Sequence, residues 1–202
     1  YPLEITDINL KKLIKNKKKH ISDINELESI MLPEYVAHPV KLKDGFEARK
    51  YQLTGKDIYL KCKRILIGDD IGVGKTMVGI LSMLHAETLP CIVTVQTHLP
   101  KQWKDEIERF TNLKVHVMKG TRPYDLPPAD VYITKYSLLA GWSDLYSKKF
   151  FKSAIFDEIQ ELRKEGSGKY EGATRLSENV EYCLGLSASP IYNYGDEIFN
   201  VL

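Results

Sequence analysis

The apolar positions of this 202-residue chain follow two rhythms, and the change falls near residue 64. Before it the spacing is helical. Ile8, Leu13 and Ile14 share one face over 7–19, and Ile24, Leu27, Ile30 and Met31 share another over 22–32. Ser22 suits the N-cap of that second helix, and Pro33 stops it. Residues 33–48 read as a connector, and 50–61 as a further helix that Gly55 weakens. After residue 64, short apolar runs recur at 65–68, 91–95, 115–118, 131–134, 154–157 and 183–187. Helix-like stretches at 75–86, 100–110, 143–151 and 173–180 lie between most of them, and 166–172 (GSGKYEG) reads as a polar loop. This alternation predicts an α/β domain whose mainly parallel sheet is covered by helices on both faces. Such sheets bind ligands at the carboxyl ends of their strands.

Composition narrows the class. Hydrophobic residues make up 43% and charged residues 28%, a globular balance rather than a disordered one. No apolar run is long enough to cross a bilayer, and the first ten residues do not read as a secretory leader, so an intracellular protein is expected. Cys62, Cys91 and Cys183 are far apart and are expected to be reduced thiols; no metal-ligand spacing is present. The net charge of +2 hides an uneven distribution, with Lys11, Lys12, Lys15, Lys17, Lys18 and Lys19 forming the densest basic cluster. A solvated lysine-rich helix face is the simpler account of that cluster, and a phosphate-tracking surface the alternative.

Residues 68–76 carry the clearest chemistry: Gly-Asp-Asp-Ile-Gly-Val-Gly-Lys-Thr between an expected strand and an expected helix. Gly72 and Gly74 let the backbone curl so that N–H groups converge on phosphate oxygens. Lys75 is placed to neutralise the β- and γ-phosphates of a nucleoside triphosphate, and the Thr76 hydroxyl to take one Mg²⁺ coordination position. The usual pattern has a small residue five positions before Gly74, where this chain has Asp69. A second site follows at 153–160, Ser-Ala-Ile-Phe-Asp-Glu-Ile-Gln, an apolar strand ending in two acids. Asp157 suits the Mg²⁺ ion, and Glu158, one residue further out, suits the attacking water.

With these residues in view, the chain resembles the first motor lobe of superfamily 2 helicase-like ATPases, most closely the Swi/Snf-type DNA translocases. Six segments carry the resemblance in order: ARKYQ at 48–52, GDDIGVGKT at 68–76, CIVTVQTHLPKQW at 91–103, VYITKYSLL at 131–139, DEIQ at 157–160 and LGLSASPIYN at 184–193. Asp69 fits this family, which carries an acid at that place. The resemblance implies a RecA-like lobe over 46–202 behind a helical, basic segment over 1–45. It implies that Arg49 and Gln52 join the nucleotide site, Gln52 at the adenine edge. Gln160, Ser187 and Ser189 would couple nucleotide state to nucleic-acid contact. Thr97, His98, Lys101, Thr134 and Lys135 would touch a nucleic-acid backbone, with double-stranded DNA the expected substrate and ATP with Mg²⁺ the cofactors. Trp103 and Tyr51 are expected to pack. Gln96 stands where the family has proline, Lys135 where it has serine, Ser-Ala-Ser where it has Thr-Gly-Thr, and Ile159 where it has alanine; a phage, viral or bacterial member fits these departures.

A family motor needs a second lobe whose arginines reach the γ-phosphate, and none of these 202 residues is left to form one. Slow hydrolysis by this lobe alone is therefore expected. Two other readings stand beside the motor: a P-loop kinase or small NTPase acting alone, and a non-catalytic nucleic-acid-binding or assembly module that keeps its P-loop.

Overall fold

The computed structural model describes residues 7–189 apart from Ile71, so Pro190, Ile191, Tyr192 and Asn193 of the sixth segment lie outside the described residues. The N-terminal part is one helix, α1 (Asp7–Met31), not the two expected. Ser22 lies inside it rather than at a cap. No proline or glycine interrupts 9–31, and a serine inside a helix costs only about half a kcal/mol relative to alanine, so the hydrogen-bond ladder continues. Lys61 of α2 (Lys50–Cys62) pairs with Asp23 and Glu26 of α1, and Ile30 is buried. Leu10, Leu13, Ile14 and Ile21 stay exposed.

Six strands then alternate with helices: β1 (Arg64–Ile67), α3 (Lys75–Met83), β2 (Cys91–Val95), α4 (Pro100–Phe110), β3 (Val115–Val117), β4 (Val131–Lys135), α5 (Ser143–Ser147), β5 (Ser153–Asp157), α6 (Gly168–Glu178) and β6 (Tyr182–Leu186). The expected strands are all present within one or two residues at each end. They form one sheet in the order β1-β6-β5-β2-β4-β3, and every pairing is parallel. Fully buried strands such as Cys91–Val95 read as continuous apolar runs because both faces of the sheet are covered. Tyr59, Ile80, Trp103 and Ile107 pack on one face against Val93, Ile133, Ile155 and Leu184. Leu139, Trp142, Tyr146 and Leu176 pack on the other against Ile92, Tyr132, Ala154 and Phe156. The fold is thus the three-layer α/β arrangement that the pattern implies.

Two helices depart from expectation. The 143–151 stretch gives only α5, preceded by a 3-10 turn at Tyr136–Trp142 and closed by Lys149, whose φ of 53° cannot continue a helix. The expected loop over 166–172 instead contains the start of α6. The Ser167 hydroxyl accepts the Tyr170 N–H and caps the helix, while Gly172 lets it approach the backbone of Leu139.

The connector is pinned to the lobe by a buried ion pair. Lys56 meets Asp57 at 2.6 Å and donates to the His38 carbonyl, and Asp57 accepts the Tyr35 hydroxyl and the His38 N–H. Burial pushes the Asp57 carboxyl up, but its bonds to Lys56, His38 and Tyr35 outweigh this and hold it below its ordinary value.

Candidate functional site

Register alone gathers the expected chemistry. Ile67 pairs with Leu186 and Leu186 with Asp157, so β1, β6 and β5 end at one level. Val95 pairs with Lys135 along the same edge. The loop 68–74, the Ser187–Ser189 turn, the acids at 157–158 and the Thr97–His98 turn therefore leave neighbouring strands at one carboxyl edge.

The glycine-rich loop is curled as its sequence requires. Gly72 and Gly74 have φ of 82° and 87°, and a β-carbon on Gly74 would lie 2.5 Å from Gln52 Nε2. Lys75 opens α3 and folds back over the loop, its Nζ donating to the carbonyls of Asp69 and Asp70 at 2.7 and 2.8 Å. Those carbonyls hold the ammonium over the loop. Thr76 follows in the first turn of the helix, whose N-terminus favours anions.

Gln52 is 7% exposed, set against Gly74, and its Oε1 accepts the Arg49 N–H at 3.0 Å. Its amide oxygen thus caps the start of α2, while its amide nitrogen lies beside the loop. Arg49 Nη1 donates to the Tyr51 hydroxyl at 3.2 Å, and that hydroxyl donates to the Val73 carbonyl. Tyr51 ties the 49–52 segment to the loop rather than merely packing.

The two acids are held quite differently. Asp157 closes β5; its Oδ2 accepts the Trp103 indole N–H at 2.7 Å, and its carbonyl accepts the Tyr136 hydroxyl at 2.8 Å. Burial raises its carboxyl above the ordinary range, while the Trp103 bond pulls the other way. Glu158 adopts a left-handed backbone, φ 53° and ψ 55°, which turns it away from its neighbour. Its Oε2 accepts Gln160 Nε2 at 2.6 Å. Gln160 Oε1 accepts the Ser187 hydroxyl at 2.7 Å, and Ser187 Oγ accepts the Ser189 N–H at 3.0 Å. A hydrogen-bonded path thus runs from Glu158 to the turn after β6.

Thr97, His98 and Lys101 line an open cavity of about 600 Å³ with Lys104, Lys119 and Lys135. Lys101 and Lys104 pair with Asp105 and Glu108 one turn along α4, exposed bonds that phosphate can replace at little cost. Lys104 and Lys119 have no motif signal and were found only by the fold. Thr134 is not brought to this surface. It is fully buried opposite Thr94, and both hydroxyls lack a hydrogen-bond partner among the described residues. Gln96, where the family has proline, donates to Glu161, which also holds Lys169.

Among the described residues no cluster of three or more His, Cys, Asp or Glu side chains is arranged for a metal. The oxygen donors of Thr76 and Asp157 still suit Mg²⁺, which keeps several waters and takes one or two protein ligands beside substrate phosphates. The cysteines are all free; burial pushes the Cys91 thiol up to about 12 and the Cys183 thiol to about 11, which disfavours the thiolate. No described helix is long and apolar enough to cross a membrane.

Residues 46–202 match the family model described as the SNF2-related domain. An uncharacterized ATP-dependent helicase of Mycoplasma pneumoniae is 27% identical over 139 residues, which cover 63% of this chain and 13% of that protein. A DNA 3'-5' helicase XPB of Kineococcus radiotolerans is 26% identical over 134 residues, covering 62% and 24%. The chain therefore spans less than a quarter of the length of either relative. The Sulfolobus solfataricus SWI2/SNF2 ATPase core in complex with dsDNA superposes with a TM-score of 0.72 over 83% of this chain and 37% of that one, at 23% identity, a likeness of fold.

Proposed function

This chain belongs to the SNF2-related domain family, and we propose that it is the ATP-binding first lobe of a nucleic-acid-dependent ATPase that translocates along double-stranded DNA. The observation that carries this reading is the convergence of the 68–76 loop, the Asp157–Glu158 pair and the Gln160–Ser187 bond at one sheet edge. Lys75 exchanges the Asp69 and Asp70 carbonyls for phosphate oxygens. The loop N–H groups converge on the same oxygens, and Thr76 and Asp157 are the residues that would hold Mg²⁺, which when bound would neutralise phosphate charge. Glu158 orients the attacking water and takes its proton. Gln160 links that carboxylate to Ser187, so a change at Glu158 reaches the turn after β6 through two hydrogen bonds. Gln52 and Arg49 support the loop and border the base. A second lobe provides arginines that this lobe does not, and the 202 residues by themselves hydrolyse ATP slowly.

The lysine-lined cavity beside Thr97 and His98 is the proposed nucleic-acid surface. Its side chains meet phosphates, which position a duplex without reading its sequence. The test is duplex binding measured across a salt series. Binding should weaken steeply with salt, independently of sequence. Lys101→Ala combined with Lys135→Ala should flatten the slope of log affinity against log salt by roughly 2. An unchanged slope places the duplex elsewhere.

A further inference from the structure

We propose that Trp103 is a positioning residue for the Mg²⁺-holding carboxylate of Asp157, and that through it the helix bearing the nucleic-acid contacts bears on the metal site. This rests on the reading of the carboxyl edge as an Mg-ATP site. The indole is 2% exposed and donates its one N–H to Asp157 Oδ2 at 2.7 Å, across 54 residues of sequence. A buried indole N–H needs a partner, and any nearby carbonyl would have satisfied it. Here the partner is a carboxylate whose other oxygen, Oδ1, is thereby the one offered to the metal.

The ring is also held from behind. A β-carbon on Gly79 would lie 3.1 Å from the tip of the Trp103 ring. The indole therefore lies directly against α3, the helix that begins with Lys75 and Thr76. Tyr136 fixes the Asp157 carbonyl on the other side. Trp103 thus touches the phosphate-loop helix and the metal-side acid together. It stands on α4, two residues after Lys101 and in the helix that follows the Thr97–His98 turn. A displacement of α4 by a bound strand moves the indole and so the carboxylate. Outer partners of this kind orient metal ligands without touching the metal.

The test compares the chain with Trp103→Phe, which keeps most of the ring and removes the N–H. Binding of a fluorescent ATP analogue is titrated in Mg²⁺ and again in EDTA. Binding in Mg²⁺ should be roughly 10- to 100-fold weaker, the effect of losing a hydrogen bond to a charged group, and binding in EDTA should be unchanged. In an Asp157→Ala background, Trp103→Phe should add nothing. Equal loss with and without Mg²⁺, no loss at all, or full additivity with Asp157→Ala overturns the proposal. A wild-type chain whose nucleotide binding does not depend on Lys75 overturns the Mg-ATP reading itself, and this inference with it. A second readout needs no variant. The chain has two tryptophans, and Trp142 donates its N–H to the Gly120 carbonyl on the opposite face of the sheet. When Mg²⁺ is added to the nucleotide-bound wild type, the Trp103 indole N–H resonance should shift and that of Trp142 should stay. A stationary Trp103 resonance contradicts the proposal.

Discussion

Glu158→Gln, in a chain that carries both lobes, lowers ATP hydrolysis by about 10²–10⁴-fold and leaves Mg-ATP binding nearly unchanged. The substitution preserves shape and removes the only group at the end of β5 that is both turned off the strand axis and free of the Trp103 bond. Asp157 cannot stand in, because its carboxylate is committed to Trp103 on one oxygen and is half-buried. The left-handed backbone at Glu158, φ 53°, aims this side chain along a direction that an extended continuation of β5 would not reach. Such a conformation is tolerated where the surroundings over-determine it, here by the Gln160 bond and the 3-10 turn at Ile159–Leu162. Steady-state phosphate release, together with analogue binding, checks the split between turnover and affinity. Hydrolysis within a few-fold of wild type would remove Glu158 from the chemistry.

Trp142→Ala destabilises the lobe by about 3–5 kcal/mol, a large share of the roughly 5–15 kcal/mol that holds a typical domain folded. Trp142 is fully buried at the end of the 3-10 turn before α5. It packs with the Tyr124 ring at 5.1 Å between centroids and donates to the Gly120 carbonyl at 3.0 Å. Removing it leaves a cavity in the α6-side core and an acceptor without its donor. Because this layer lies across the sheet from Lys75, the expected signature is a lowered denaturation midpoint. Nucleotide affinity of the molecules still folded should be preserved. A midpoint shift worth less than about 1 kcal/mol would mean the α6-side layer does not carry the core's stability.

The central strands were legible because their apolar runs are buried on both faces, the edge strands β1 and β3 because their short apolar runs follow helical stretches, and the two chemical loops because glycine, lysine and paired acids have few other uses at strand ends. Helix continuity was less so. Ser22 reads as a cap and is an interior residue of α1, since nothing beside it breaks the ladder. GSGKYEG reads as a loop and opens α6, since its last glycine serves a close approach to Leu139 rather than flexibility. Thr134 illustrates a further limit: in a run buried on both sides, alternation no longer says which way a hydroxyl faces. The Trp103–Asp157 bond and the cavity role of Lys104 and Lys119 are contacts between separate elements. Periodicity carries no signal for them.

If the 68–76 loop is a nucleotide site, it binds ATP through Lys75. Equilibrium titration of the chain with a fluorescent ATP analogue in Mg²⁺, beside Lys75→Ala, tests it most directly. Binding should be saturable and fall by at least about tenfold in the variant, the worth of one charge-assisted contact to phosphate. Equal affinity of the two proteins would contradict it.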